Sequence, residues 1–201
     1  MSPLLESYLV SVAAALLAGA TLAQILPRLS GKVRERIGMR LLTIVVVVLG
    51  VAIAGRWIRE AQGPFLTMYD VLLSNIFSLA FVFLVVSRTS EIAPAALRLV
   101  IPLLLIMSIW LSFVPSAAVP LPATFDNAWL WVHVLSGKVF LGLCMFCAAA
   151  AVLRLASSNG LPAGNDSTIW SMYFIAFVFH SVMLVAGSAW AHTAWGRYWS
   201  W

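Results

Sequence analysis

The sequence predicts an all-α fold, a polytopic bundle of six membrane-spanning helices with both termini on the outer, extracytoplasmic side. Three observations predict it. Hydrophobic residues make up 63% of the chain and charged residues only 9%, where soluble domains carry about 25% charged residues. Mean hydropathy is +1.01. Six apolar stretches approach the roughly 20 helical residues that cross a hydrocarbon core.

We read residues 1–201 as a single membrane domain, with spans near 7–26, 41–58, 70–87, 98–115, 129–153 and 168–190. The first follows MSPLLES, which lacks the basic region of a cleavable signal peptide, so it stays as a span. Between the first and second lies PRLSGKVRERIGMR, where Arg28, Lys32, Arg34, Arg36 and Arg40 stand against one acid, Glu35. Basic residues mark cytoplasmic connections, so this one faces inward. That placement reads the net charge of +5 as a topology signal and excludes a nucleic-acid footprint.

Arg88 and Arg98 flank the connection between the third and fourth spans, and Arg154 closes the fifth, all on the inner side. The outer segment 116–128 carries only Asp126, and Pro115, Pro120 and Pro122 make it a loop, since proline removes donors and stops helices. Arg56 and Arg59, beside Glu60, run against the charge rule on the outer side. Cys144 and Cys147 form CMFC within an apolar run, without a charged neighbour to lower a thiol pKa. Residue 148 is alanine, so the pair is no c-type haem attachment site.

The sixth span leads into GSAWAHTAWGRYWSW, with 191–201 read as the start of a tryptophan-rich loop. Trp190, Trp195, Trp199 and Trp201 with Tyr198 are either an interfacial aromatic belt or a platform for a flat aromatic ligand. Gly196 would let a backbone approach that ligand closely. His133, in WLWVHV, lies at the outer end of the fifth span after Trp129 and Trp131. Imidazole is a common axial ligand of haem iron, and haem is a macrocycle on which aromatic rings stack.

His180 lies about 18 Å into the sixth span by the helical rise, where it ligates a second haem or hydrogen-bonds a neighbouring helix. Lys138, near His133, either snorkels to the interface or meets a haem propionate. His192 is exposed and the least suited of the three histidines to ligation.

WGRYWSW resembles the tryptophan-rich "WWD" signature, approximately WGxYWxWDPKE, of the cytochrome c biogenesis haem-handling proteins of the CcsA/ResC type, system II. Trp195, Gly196, Tyr198, Trp199, Ser200 and Trp201 match it in order. GSAWA is similar to the family's GAVWA, GPFLTMYDVLLSNIF to its PLSNLYESL with Tyr69 and Asp70 at the Tyr-Glu pair, and WLWVHV to its WLxxHV.

The resemblance implies haem b as the transported or presented substrate. His133 is implied as an outer axial ligand of its iron, and Trp195, Gly196, Tyr198, Trp199 and Trp201 as the platform. From the residues themselves, Trp190 joins that platform, Arg197 is the nearest propionate partner, and Arg56 and Arg59 are second candidates for propionates or an acidic partner. Implied partners are a CcsB/ResB-type membrane protein and apocytochrome c. The implied site is an inner, plasma or thylakoid-type membrane.

The family continues past the signature with Asp-Pro-Lys-Glu, further spans and a second outer histidine. The chain therefore reads as the N-terminal part of such a protein, truncated within the signature. Full-length relatives form part of a cytochrome c synthase (haem lyase), and this portion alone lacks the complete site. The alternatives are a system I haem-export relative and a non-haem membrane scaffold or transporter subunit with an aromatic belt.

Overall fold

The computed structural model describes residues 1–63, 65–156 and 164–199. Six helices account for most of them: α1 (Pro3–Ile25), α2 (Gly31–Glu60), α3 (Met68–Val86), α4 (Ala93–Leu111), α5 (Ala128–Ala156) and α6 (Gly164–Trp195), with a 3-10 turn at Ala123–Phe125. There is no strand among the described residues. All six helices are long and apolar enough to span a bilayer.

Local chemistry sets the helix ends. Ser2 Oγ accepts the Leu5 N–H at 3.2 Å and Pro3 opens α1, where proline loses no helical hydrogen bond. Thr67 and Asp70 form a reciprocal capping box at the start of α3. Ala61 closes α2 in the left-handed region, φ 53°.

Several helices differ in extent from the sequence reading: α1 starts four residues early at Pro3, α4 runs Ala93–Leu111 where 98–115 was expected, and α2 and α6 differ most in consequence. α2 begins at Gly31, so Lys32, Arg34, Arg36 and Arg40 lie on its first turns and the connection shrinks to residues 26–30. Long basic stems can lie along an apolar helix while their heads stay wet, so charge did not interrupt the helix. α6 continues to Trp195, so residues 191–195 are its last turn, not loop.

α3 and α4 form the centre. α1 and α2 pack against them on one side and α5 on the other, and α6 packs on α5. Within its spanning window α3 is 61% buried and α6 only 11%, which makes α6 the outermost element. Phe83 and Phe146 meet in the core at 6.3 Å between ring centroids, with Leu42, Leu73, Ile76 and Ile101 fully buried around them. Glycines bring the backbones together: a Cβ on Gly142 would lie 2.6 Å from Val82 of α3, and one on Gly137 3.0 Å from Met183 Sδ of α6. Close approach at small residues drives association where lipid removes the hydrophobic incentive.

Because the helices alternate in direction, the α1–α2 and α3–α4 connections share one end of the bundle. The start of α1, the α2–α3 turn, the 112–127 loop and the end of α6 share the other. The polar groups described next gather at that second end.

Candidate functional site

α5 is preceded by Asn127, whose Oδ1 accepts the Trp129 N–H at 2.8 Å while its Nδ2 donates to Thr193 Oγ1 on α6 at 2.7 Å. One side chain thus caps one helix and ties it to the end of the next. The preceding 3-10 turn adds two contacts. Trp190 Nε1 donates to the Thr124 carbonyl at 2.7 Å, and the Phe125 ring meets the Trp190 ring edge-on at 5.6 Å. Trp190 is held from two sides, and its ring in turn packs on Trp195 at 5.0 Å.

Two turns deeper on this seam His133 faces α6. Its Nδ1 lies 2.8 Å from the Met183 carbonyl. A carbonyl only accepts, so Nδ1 carries the proton and the lone pair of the neutral ring is left on Nε2. This is the arrangement in which metal-binding histidines are usually held. Gly187 makes it possible: a Cβ there would stand 2.5 Å from His133 Nδ1. The imidazole occupies the space that any other residue would fill.

α6 is closed by the residue after it, Gly196, whose N–H donates to the His192 carbonyl at 2.8 Å and whose φ is +72°, a conformation glycine adopts without steric cost. A Cβ at Gly196 would meet nothing within 4 Å. This glycine therefore has a backbone role beside the ligand approach expected of it: it turns the chain back over α6. Tyr198 then stacks on His192 at 4.2 Å.

The result is a cleft of about 230 Å³ lined by His133, Leu184, Gly187, Trp190, Trp195, Tyr198 and Trp199, with Ser188 and Ala191. The structure brings together His133, Trp190, Trp195, Tyr198 and Trp199, which sequence reading separated by up to 66 positions. Trp195, Tyr198 and Trp199 are each about 60% exposed, so the cleft is a one-sided wall. At 230 Å³ it falls below the roughly 300–1,000 Å³ of enclosed ligand pockets. Such a wall suits one face and edge of a planar macrocycle. Arg197 is exposed beside the cleft and does not line it, and Trp201 lies outside the described residues.

Several expectations are corrected. Arg56 and Arg59 are not free for propionates or an acidic partner. Arg56 is 5% exposed and pairs with Asp70 at 2.6 Å and Glu6 at 3.2 Å, and Arg59 pairs with Glu6 at 2.5 Å and Glu60 at 2.8 Å. Lys138 neither snorkels nor reaches the cleft: its Nζ donates to Ser74 Oγ at 2.8 Å and Asn75 Oδ1 at 2.7 Å on α3. Five residues beyond His133, it sits roughly 140° around the same helix.

His180 stacks on Phe140 at 4.6 Å and makes no hydrogen bond to another helix among the described residues. No cluster of metal-ligating side chains surrounds it among those residues either. Trp131 turns away from His133 and packs between Trp57 at 5.1 Å and Phe65 at 4.5 Å. Gly187 and Asn127 escaped sequence reading. Gly187 stood within the GSAWA segment already matched to the family's GAVWA, so its signal was present and unused.

No protein-family model matches this chain, and no solved structure matches it. Among curated proteins the chain is similar to several named cytochrome c biogenesis protein CcsA. The protein of Chlamydomonas reinhardtii is 25% identical over 162 residues, covering 73% of this chain and 46% of the relative. That of Synechococcus sp. strain RCC307 is 25% identical, covering 86% and 69%. That of Trieres chinensis is 24% identical, covering 77% and 64%. The chain spans about half the length of the first and roughly two thirds of the other two.

Proposed function

We propose that the chain binds haem and presents it for covalent attachment to apocytochrome c, as part of a system II cytochrome c maturation protein. One observation carries this reading. A histidine whose Nδ1 is committed to a backbone carbonyl opens into the same cleft as three tryptophans and a tyrosine. A cleft with one lone-pair nitrogen and aromatic walls fits a planar iron macrocycle. The similarity to proteins named for cytochrome c biogenesis points to the same chemistry.

In this reading haem is cargo. His133 holds the iron through Nε2, while Trp190, Trp195, Tyr198 and Trp199 orient the ring. Arg197, exposed and without a carboxylate partner among the described residues, neutralises a propionate. The signature continues into Trp201. Thioether formation uses the haem vinyl groups and the reduced cysteines of the apocytochrome, so the chain's share is to hold and orient.

The cleft is open on one side. A second axial ligand and further walls therefore come from beyond this portion or from a CcsB/ResB-type partner, and the synthase activity belongs to the whole assembly. The cleft end of the bundle faces outward in this account, in a plasma, inner or thylakoid-type membrane.

The test is haem loading of the purified chain in detergent. The expected result is a weak Soret band that shifts on binding and is lost in His133→Ala, while the variant apoprotein still unfolds cooperatively, its unfolding temperature lowered only by the loss of one hydrogen bond across the α5–α6 seam. If Trp195→Leu with Trp199→Leu alters membrane stability and leaves haem binding intact, the tryptophans are an interfacial belt and the reading fails.

A further inference from the structure

Lys138 takes no part in the haem cleft. From its own face of α5 its Nζ crosses to α3, donating to Ser74 Oγ at 2.8 Å and Asn75 Oδ1 at 2.7 Å. The Ser74 hydroxyl donates its own proton to the Asp70 carbonyl at 2.6 Å, so both side-chain oxygens act toward the ammonium as acceptors. They supply dipoles and no negative charge. An ammonium has three donors, and the third meets no acceptor among the described residues.

The position is deep. Lys138 is ten residues inside α5 and Ser74 six inside α3, about 15 and 9 Å from the helix ends nearest the cleft by the helical rise. Both helices are long and apolar enough to span a bilayer, and charged side chains at such depth are costly and pair with one another.

The face around Lys138 is also open. Lys138 and Asn75 are only partly buried. Leu135 and Leu141, three residues before and after Lys138, are 55% and 45% exposed, and residues three apart share a helix face. Seven residues before Lys138 the same stripe ends in Trp131, stacked on Trp57 at 5.1 Å.

A helix laid along this stripe covers the leucines and brings a side chain to Lys138. We propose that this face receives a transmembrane helix of a second membrane protein, and that an aspartate or glutamate of that helix pairs with Lys138. Charge complementarity selects the occupant. A carboxylate at the matching depth supplies the missing negative charge and takes the third N–H in a charge-assisted hydrogen bond. A second copy of this chain has none to offer there: all seven of its acidic residues stand in connections or within the first or last two turns of a helix. The nearest, Asp70, is committed to Arg56 and Thr67. A lipid phosphate stays at the headgroups, above the ammonium.

The test places the full chain in zwitterionic bilayers with tryptophan-free polyleucine peptides that span the membrane and carry a dansyl acceptor. One peptide has a single glutamate near its middle and the other has leucine there. Association is read by energy transfer from the chain's tryptophans. Wild type should bind the glutamate peptide roughly tenfold more tightly than the leucine peptide, the worth of one charge-assisted hydrogen bond. Lys138→Met and Lys138→Gln should each remove that preference.

Equal association of the two peptides with wild type overturns the proposal, as does a preference that survives either variant. Self-association of the chain that Lys138→Met abolishes assigns the face to a second copy, and loss of the preference on adding anionic phosphatidylglycerol assigns it to a lipid; either overturns the partner helix. The proposal does not rest on haem binding. The Soret band should be the same in Lys138→Met as in wild type, so failure here is distinguishable from failure at His133.

Discussion

Gly187 illustrates how a residue with no functional group can govern a site. Alanine there would put a Cβ 2.5 Å from His133 Nδ1, so the ring must leave its hydrogen bond to Met183. We expect Gly187→Ala to weaken haem binding roughly 10–100-fold, the usual cost of losing a partner that orients a metal ligand, with little change in unfolding temperature. Titration of both proteins with haem measures it. An affinity equal to wild type would mean the Nδ1 contact does not orient the ligand.

Lys138 makes the contrasting case. Its ammonium is held by two neutral oxygens across α3 and α5, so removing the charge and removing its partner differ in sign. Lys138→Met should be neutral or stabilising, as for other buried ions replaced by apolar groups of similar size. Asn75→Leu, which strands the charge, should cost about 1–3 kcal/mol. Denaturation in detergent distinguishes them. The sequence showed that His133 and the tryptophans belonged together, because residue types and family likeness both pointed there. It could not show that Lys138 lies on another face of α5, because helical phase relative to neighbours is a tertiary property.

At the scale of elements, α1, α2 and α3 are fastened at one end by Arg56, with Asp70 both capping α3 and pairing with the guanidinium. Asp70→Ala should destabilise the fold by about 3–5 kcal/mol, because it leaves a buried charge short of a partner. Asp70→Asn, which keeps an oxygen for the cap, should cost less. Chemical unfolding of the two variants checks the order.

The spans were legible because long, predominantly apolar stretches with few charges admit little else. Their ends were less so. α2 extends through KVRER because lysine and arginine are good helix formers. α6 extends to Trp195 because nothing before Gly196 stops it. The outward arginines of α2 looked like free cations because Glu6 lies 50 positions away from Arg56 in sequence and touches it only in the fold.

At the scale of the molecule, orientation follows from charge. The basic start of α2 should face the cytoplasm and the cleft end outward. In a Cys144→Ala, Cys147→Ala background, Ala118→Cys should react with a membrane-impermeant thiol reagent from outside, and Ser30→Cys only after permeabilisation. The reverse pattern would put the cleft on the wrong side for an extracytoplasmic apocytochrome.

The exposed α6 and the one-sided cleft are consistent with a chain that covers 46% of one relative and 69% of another, since a neighbour over that face would enclose the site. The most direct measurement is the haem absorption spectrum of the purified chain beside that of its His133→Ala variant. A Soret band that depends on His133 is expected. A band of the same position and intensity in the variant, or none in either protein, would contradict it.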